Sequence, residues 1–249
     1  MGKTLYVMFL LAAAASVSSA QSLRAVGPNT APLQPTAPPY CRPCLFYGGD
    51  LDPTNPLSNG MEDDEVLSTG GVYEVYVPFT VPVGQQWTVG GLFVNLLSRV
   101  NVIDPAKATY FISTGVSRGD AGTTIATAAG PATFTATGRS WDNYTEYTLL
   151  VQTHPTILQA GTYWLSVVPR CTNPKDEACQ TARYYVSDDE DNPPLNYVGP
   201  FEPANESFFS STVTGDFYSQ TWGNNGTCGG VGCNRFSVGV IGTAQKTGD

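Results

Sequence analysis

The sequence predicts an all-β protein, a single β-sandwich or jelly-roll-like domain with long loops and local disulfides. Three observations carry this. Val72–Val81 and Trp87–Leu97 are rich in branched and aromatic residues, and a polar break containing Pro82 and Gly84 separates them; such side chains suit a pleated, half-buried surface. No window of about 11 residues shows helical periodicity. The chain also carries 26 Gly and 19 Pro among 249 residues, which means many turns between short elements.

Taken in order, residues 1–20 read as a signal peptide. Lys3 supplies the positive start, Leu5–Ala15 the short apolar run, and Ser18-Ser19-Ala20 the small residues before cleavage. The chain is therefore expected to be secreted, extracellular or at the cell surface. No later run reaches the roughly 18 apolar residues of a membrane span. Residues 21–40 hold Pro28, Pro32, Pro35, Pro38 and Pro39, the composition of a linker or N-terminal arm. The sandwich is expected over residues 41–243, followed by a polar tail at 244–249.

Within the domain, Leu45-Phe46-Tyr47 starts the strands. A long polar loop follows, from Gly49 through Asn59-Gly60 to Glu65. After the two long strands come Ala108–Ser113, Thr123–Thr127, Ala132–Thr137 and Tyr144–Gln152. His154-Pro155 reads as a strand end or loop. Gly161 feeds a strand in which Tyr163, Leu165 and Val167 share one face. Arg183–Val186, Phe208–Val213, Phe217–Trp222 and Arg235–Ile241 complete the set, with Asp188–Asp191 as an acidic loop.

Charged residues make up 13% of the chain and the formal net charge is −9. That sign repels phosphate backbones and acidic membranes, so nucleic acid is not an expected partner. It favours a cation. The six cysteines form three close pairs: Cys41 and Cys44, Cys171 and Cys179, Cys228 and Cys233. In an exported chain local disulfides are the simplest reading, although six cysteines allow about fifteen connectivities. The rival reading is a metal site that uses the Cys41-x-x-Cys44 unit.

Phe46-Tyr47-Gly48-Gly49-Asp50-Leu51-Asp52-Pro53, Asn59-Gly60, the Phe79–Pro82 to Trp87–Val89 unit and Ala160–Tyr163 together resemble secreted bacterial β-sandwich proteins of uncharacterised function. The likeness covers much of residues 45–168. It implies export and an all-β fold, and it implies no activity.

Several constellations bear on chemistry. Asp50, Asp52 and Asn55 place oxygen side chains at near-alternating positions, with Asp63 and Asp64 able to complete a Ca²⁺ shell. The other reading is a turn in which Asp and Asn cap their own backbone. Gly115-Val116-Ser117-Arg118-Gly119, with Asp142 and His154 downstream, matches the order of a hydrolase triad. Residues after Gly119 turn into a strand rather than a helix, so a Gly-rich hairpin with an incidental Ser is the expectation. Trp141, Tyr144, Tyr218 and Trp222 lie in stretches that mix rings with polar groups. They are the candidate binding face for a sugar or a protein partner, against a core reading. Glu74, Glu146, Glu202 and Glu206 are the carboxylates available for glycoside hydrolysis.

The expected function is a secreted, non-catalytic sandwich that binds an extracellular glycan or protein partner, with Ca²⁺ as a stabilising ion. The alternative is a structural subunit of an extracellular matrix, sheath or filament, assembled by strand edges or by exchange of the 21–40 arm. A carboxylate-based glycoside hydrolase is the third class.

Overall fold

The computed structural model describes residues 23–24, 41, 44–51, 59–63, 65–66, 71–99, 107–170, 183–189, 196–200, 206–213, 215–219 and 235–248, with backbone alone at 23–24, 59–62, 65–66, 188–189, 216, 218–219 and 235. These residues form strands and no helix. In chain order the strands are β1 (Leu23–Arg24), β2 (Cys44–Tyr47), β3 (Asn59–Glu62), β4 (Glu65–Val66), β5 (Gly71–Val81), β6 (Gln85–Ser98), β7 (Ala108–Thr114) and β8 (Thr123–Gly130). They continue with β9 (Ala132–Trp141), β10 (Tyr144–Leu158), β11 (Gly161–Pro169), β12 (Tyr185–Asp189), β13 (Phe208–Ser211), β14 (Asp216–Ser219), β15 (Arg235–Phe236) and β16 (Val238–Lys246).

Two antiparallel sheets result. The larger has nine strands and centres on β6. One edge of β6 pairs with β10 along almost its whole length, from Ser98↔Thr145 to Trp87↔Leu158. Its other edge is shared: β16 takes Gln85 to Val94, and β12 takes Leu96 and Leu97. The smaller sheet runs β14-β13-β5-β11-β7-β8, with β4 on β5. The path through the larger sheet ends at β9 and that through the smaller at β8.

The sheets face each other across one core. From the smaller sheet come Val75, Val77, Phe79, Val81, Tyr110, Ile112, Leu165 and Val167. The larger contributes Trp87, Val89, Leu92, Val94, Leu96, Leu149, Val151, Val186, Val238 and Val240. The spacing of two along each run is the pleat period that puts one side chain in two on the same face. Phe79 stacks on Trp87 across the sheets, with centroids 6.1 Å apart. The expected β-rich runs are thus the core strands, and the Cys41–Cys44 disulfide lies just ahead of the first.

The structure corrects the reading in three places. Asn59–Glu62, expected within a polar loop, is a strand that pairs with β12. Asp188 and Asp189, expected in an acidic loop, end β12: both pair with β15, and Asp188 also pairs with β3. Backbone pairing forms both, so neither carries an apolar alternation. His154-Pro155 lies inside β10 rather than at its end. The register on β6 shifts between Gln152 and Thr156, and a proline is accommodated at such a bulge because no ladder hydrogen bond is needed there.

Candidate functional site

The outward face of the larger sheet is not solvated where a sandwich face normally is. Beyond Gly91 the inward positions of β6 are Leu92, Val94 and Leu96. Phe93, Asn95 and Leu97 therefore point away from the core, yet each is fully buried. The segment Tyr47–Leu51 covers them. Tyr47 lies against Phe93, with centroids 5.5 Å apart. Gly239 makes room for that ring, since a Cβ there would sit 2.2 Å from Phe93 Cε1.

Beneath this cover lies a buried polar network. Arg139 on β9 is its hub: Nε donates to Glu146 Oε2 at 2.5 Å and Nη1 to Asp50 Oδ1 at 2.7 Å. Asp50 also accepts from the Tyr47 hydroxyl and, at 2.7 Å, from Asn196 Nδ2. Glu146 also accepts from Thr137 Oγ1 at 2.8 Å and Ser187 Oγ at 2.9 Å. Each carboxylate thus receives three hydrogen bonds. Asn95 extends the network, donating to Tyr47 Oη at 3.0 Å and Ser237 Oγ at 2.7 Å and accepting from Thr148 Oγ1 at 2.6 Å. Ser237 Oγ in turn donates to the Gly49 carbonyl at 2.6 Å.

The electrostatics follow from burial. Desolvation on its own would lower the Arg139 pKa. The charges of Glu146 and Asp50 outweigh it and hold the guanidinium above its ordinary value. Burial, and then the charge of Asp50, push the Tyr47 phenol well above 10.0. The hub holds two carboxylates and one guanidinium, whose Nη2 is buried without a hydrogen bond. Asp50, Arg139 and Glu146 are exposed by 1%, 5% and 0%, so no substrate reaches them. Chemically the arrangement clamps the 47–51 segment onto the sheet.

This bears on the expected metal loop. Asp50 is turned inward onto a guanidinium, which repels a cation from the same oxygen. Asp63 is also buried and accepts the Val75 amide at 3.3 Å, as a loop-capping carboxylate does. Asp52, Asn55 and Asp64 lie outside the described residues. Among the described residues no three His, Cys, Asp or Glu side chains gather as a metal would require.

The expected aromatic face is corrected too. Trp141 and Tyr144 are buried and pack with Leu51, Leu97 and Tyr185. They flank the Asp142-Asn143 turn that joins β9 to β10, and Asp142 takes the left-handed conformation (φ 53°). Their polar neighbours occupy the turn while the rings fold under it, and Arg99 covers the Tyr144 ring at 4.5 Å. The Tyr218 side chain and Trp222 lie outside what is described.

Ser117, Asp142 and His154 do not converge. Ser117 sits in an exposed turn closed by mutual backbone hydrogen bonds with Asp120, each 3.0 Å. Asp142 and His154 lie on one extended stretch, about 40 Å of chain apart at strand rise. Of the other carboxylates, Glu74 accepts from the Tyr76 hydroxyl at 2.9 Å, and Glu206 faces Arg118 at 3.6 Å. Glu146 is inside the network, and Glu202 lies outside the described residues. Cys41 and Cys44 are bonded to each other, as their spacing suggests. Cys171, Cys179, Cys228 and Cys233 lie outside the described residues.

Sequence reasoning missed Arg139 as the hub. The signal was available: Arg139 is the one charge between Asp120 and Asp142, in a strand otherwise built of Ala, Thr, Phe, Gly, Ser and Trp. The fold and site define an all-β protein whose charged constellation is internal. No protein-family model matches the chain, and no curated protein matches it in sequence.

Proposed function

We propose that the chain is an exported, non-catalytic β-sandwich that works by surface contact, as a structural subunit of an extracellular layer, sheath or filament. One observation carries this reading. Residues 121–138 hold no charged side chain, and most are exposed. Two longer uncharged runs, 75–98 and 147–169, are largely core; the uncharged runs 4–23, 25–41 and 217–234 lie mostly outside the described residues. The exposed run forms β8 and most of β9, two of the four strands at which the described sheet paths end. Natural sheets usually protect such edges with charge, so a bare edge marks a surface meant to be covered. Burial of Trp141 and Tyr144 also moves support from glycan stacking to assembly. Signal-peptide features and local cysteine pairs favour export.

Cell fractionation followed by electron microscopy of the secreted material tests the reading. The chain is expected in the extracellular or surface-bound fraction, within ordered or insoluble material. Recovery of the chain only inside cells would overturn it.

A further inference from the structure

We infer that the outer edge of β9, which no described strand pairs with, is a self-association surface, occupied by β9 of a second copy in antiparallel register about a two-fold axis at Phe134. This rests on the assembly reading and specifies its partner.

Three features single out β9. It holds five consecutive register pairs with β10, Ala132↔Val151 to Ala136↔Tyr147, so its outer edge is straight over that span. β8 has an equal run of five pairs, Ala126 to Gly130, but the residues it packs on the core there are Ala126 and Ala128, with no ring to brace them. The exposed positions of the straight span are Thr133, Thr135 and Ala136, small side chains that let a neighbouring backbone approach. The inward Phe134 is held by stacking on Tyr147, with centroids 4.4 Å apart. The pairing edge is therefore rigid before it meets a partner.

Charge selects the occupant. The chain carries −9 overall, so two copies repel over most of their surfaces. Along the uncharged, exposed 121–138 run like copies approach without that cost. A charged partner finds no counter-charge along it. Two-fold pairing at Phe134 places Thr133 opposite the second copy's Thr135, and Thr135 opposite its Thr133. Such Thr–Thr rungs stabilise antiparallel ladders. A two-fold contact closes on itself, so β9 pairing gives a dimer and leaves β8 for further growth.

The register makes a charge-swap test decisive. The double variants T133K/T135K and T133E/T135E each put like charges on both rungs. Each is expected to self-associate roughly tenfold more weakly than wild type in sedimentation analysis. An equimolar mixture pairs Lys with Glu on both rungs and should restore the dimer as a heterodimer. Hydrogen exchange on wild type should show amides 132–136 becoming protected as concentration rises. Circular dichroism matching wild type confirms that the variants fold. A wild type that stays monomeric at its highest soluble concentration overturns the inference, as does a mixture that fails to associate. Protection that ignores dilution would mean that the chain covers its own edge, which also overturns it. None of these failures touches the fractionation result, on which the assembly reading stands separately.

Discussion

Replacing Arg139 by Met removes the one cation from a site in which two carboxylates lie within 2.7 Å of its guanidinium. All three side chains are at most 4% exposed, so water cannot take over as counter-charge. Breaking a buried pair in this way costs about 3–5 kcal/mol, because an uncompensated charge is left inside. In a domain of this size each kcal/mol moves the melting temperature by about 2–4 °C. The midpoint of R139M should therefore fall by roughly 6–20 °C. Thermal unfolding followed by Trp fluorescence measures it, and Trp141, buried two residues from Arg139, serves as a local reporter. The triple variant R139M/D50N/E146Q removes both negative charges as well and should regain much of the loss. A single variant within about 1 kcal/mol of wild type would refute the clamp, since that is the size of an ordinary surface effect. So would a triple variant less stable than R139M.

Tyr47 holds its proton in the folded state because burial and Asp50 oppose the phenolate. Its folded pKa lies above the unfolded value of 10.0, so its stabilisation is complete below that pH and is lost as pH rises towards the folded value. Melting temperature should fall with rising pH above about 10 in wild type, and less steeply in Tyr47→Phe. Tyr47→Phe should also cost about 1–3 kcal/mol at neutral pH, measured by urea denaturation, because Asp50 loses a donor. Glu74 is raised above 4.5, chiefly by burial, so it opposes folding at neutral pH and this cost is relieved as pH falls; Glu74→Gln should therefore match or exceed wild-type stability at pH 7 and lose that advantage towards acid pH, giving a steeper acid limb in urea unfolding. Gly239→Ala drives a Cβ into the Phe93 ring at 2.2 Å and should cost about 1–3 kcal/mol by urea unfolding. Gly84→Ala, with nothing within 4 Å but a φ of +76°, should show only the smaller cost of the left-handed conformation.

The core was legible where branched and ring side chains run together between turn residues. Val72–Val81 and Trp87–Leu97 read as strands because their branched and ring side chains feed one packed layer. Asn59–Glu62 could not be read this way, since its pairing with β12 uses backbone groups that every residue has. The Trp141 and Tyr144 stretch misled for a related reason: in a tight turn the polar Asp142 and Asn143 take the surface while the flanking rings turn under. Asp50 looked like a ligand for a cation because its nearest charges in sequence are acidic. Its actual partner, Arg139, is 89 residues away, and only the register of β9 on β10 brings it there.

Arg139 gives the edge strand an unusual mooring. Among the described residues β9 has a single neighbour in its sheet, which would ordinarily let it peel away rung by rung under tension. Near its far end the guanidinium is anchored to Asp50, on chain laid over the middle of the same sheet. Pulling β9 outward must therefore extract a cation from between two anions in a dry interior before the last rungs part. A copy gripping that strand from outside would be hauling on the centre of the molecule.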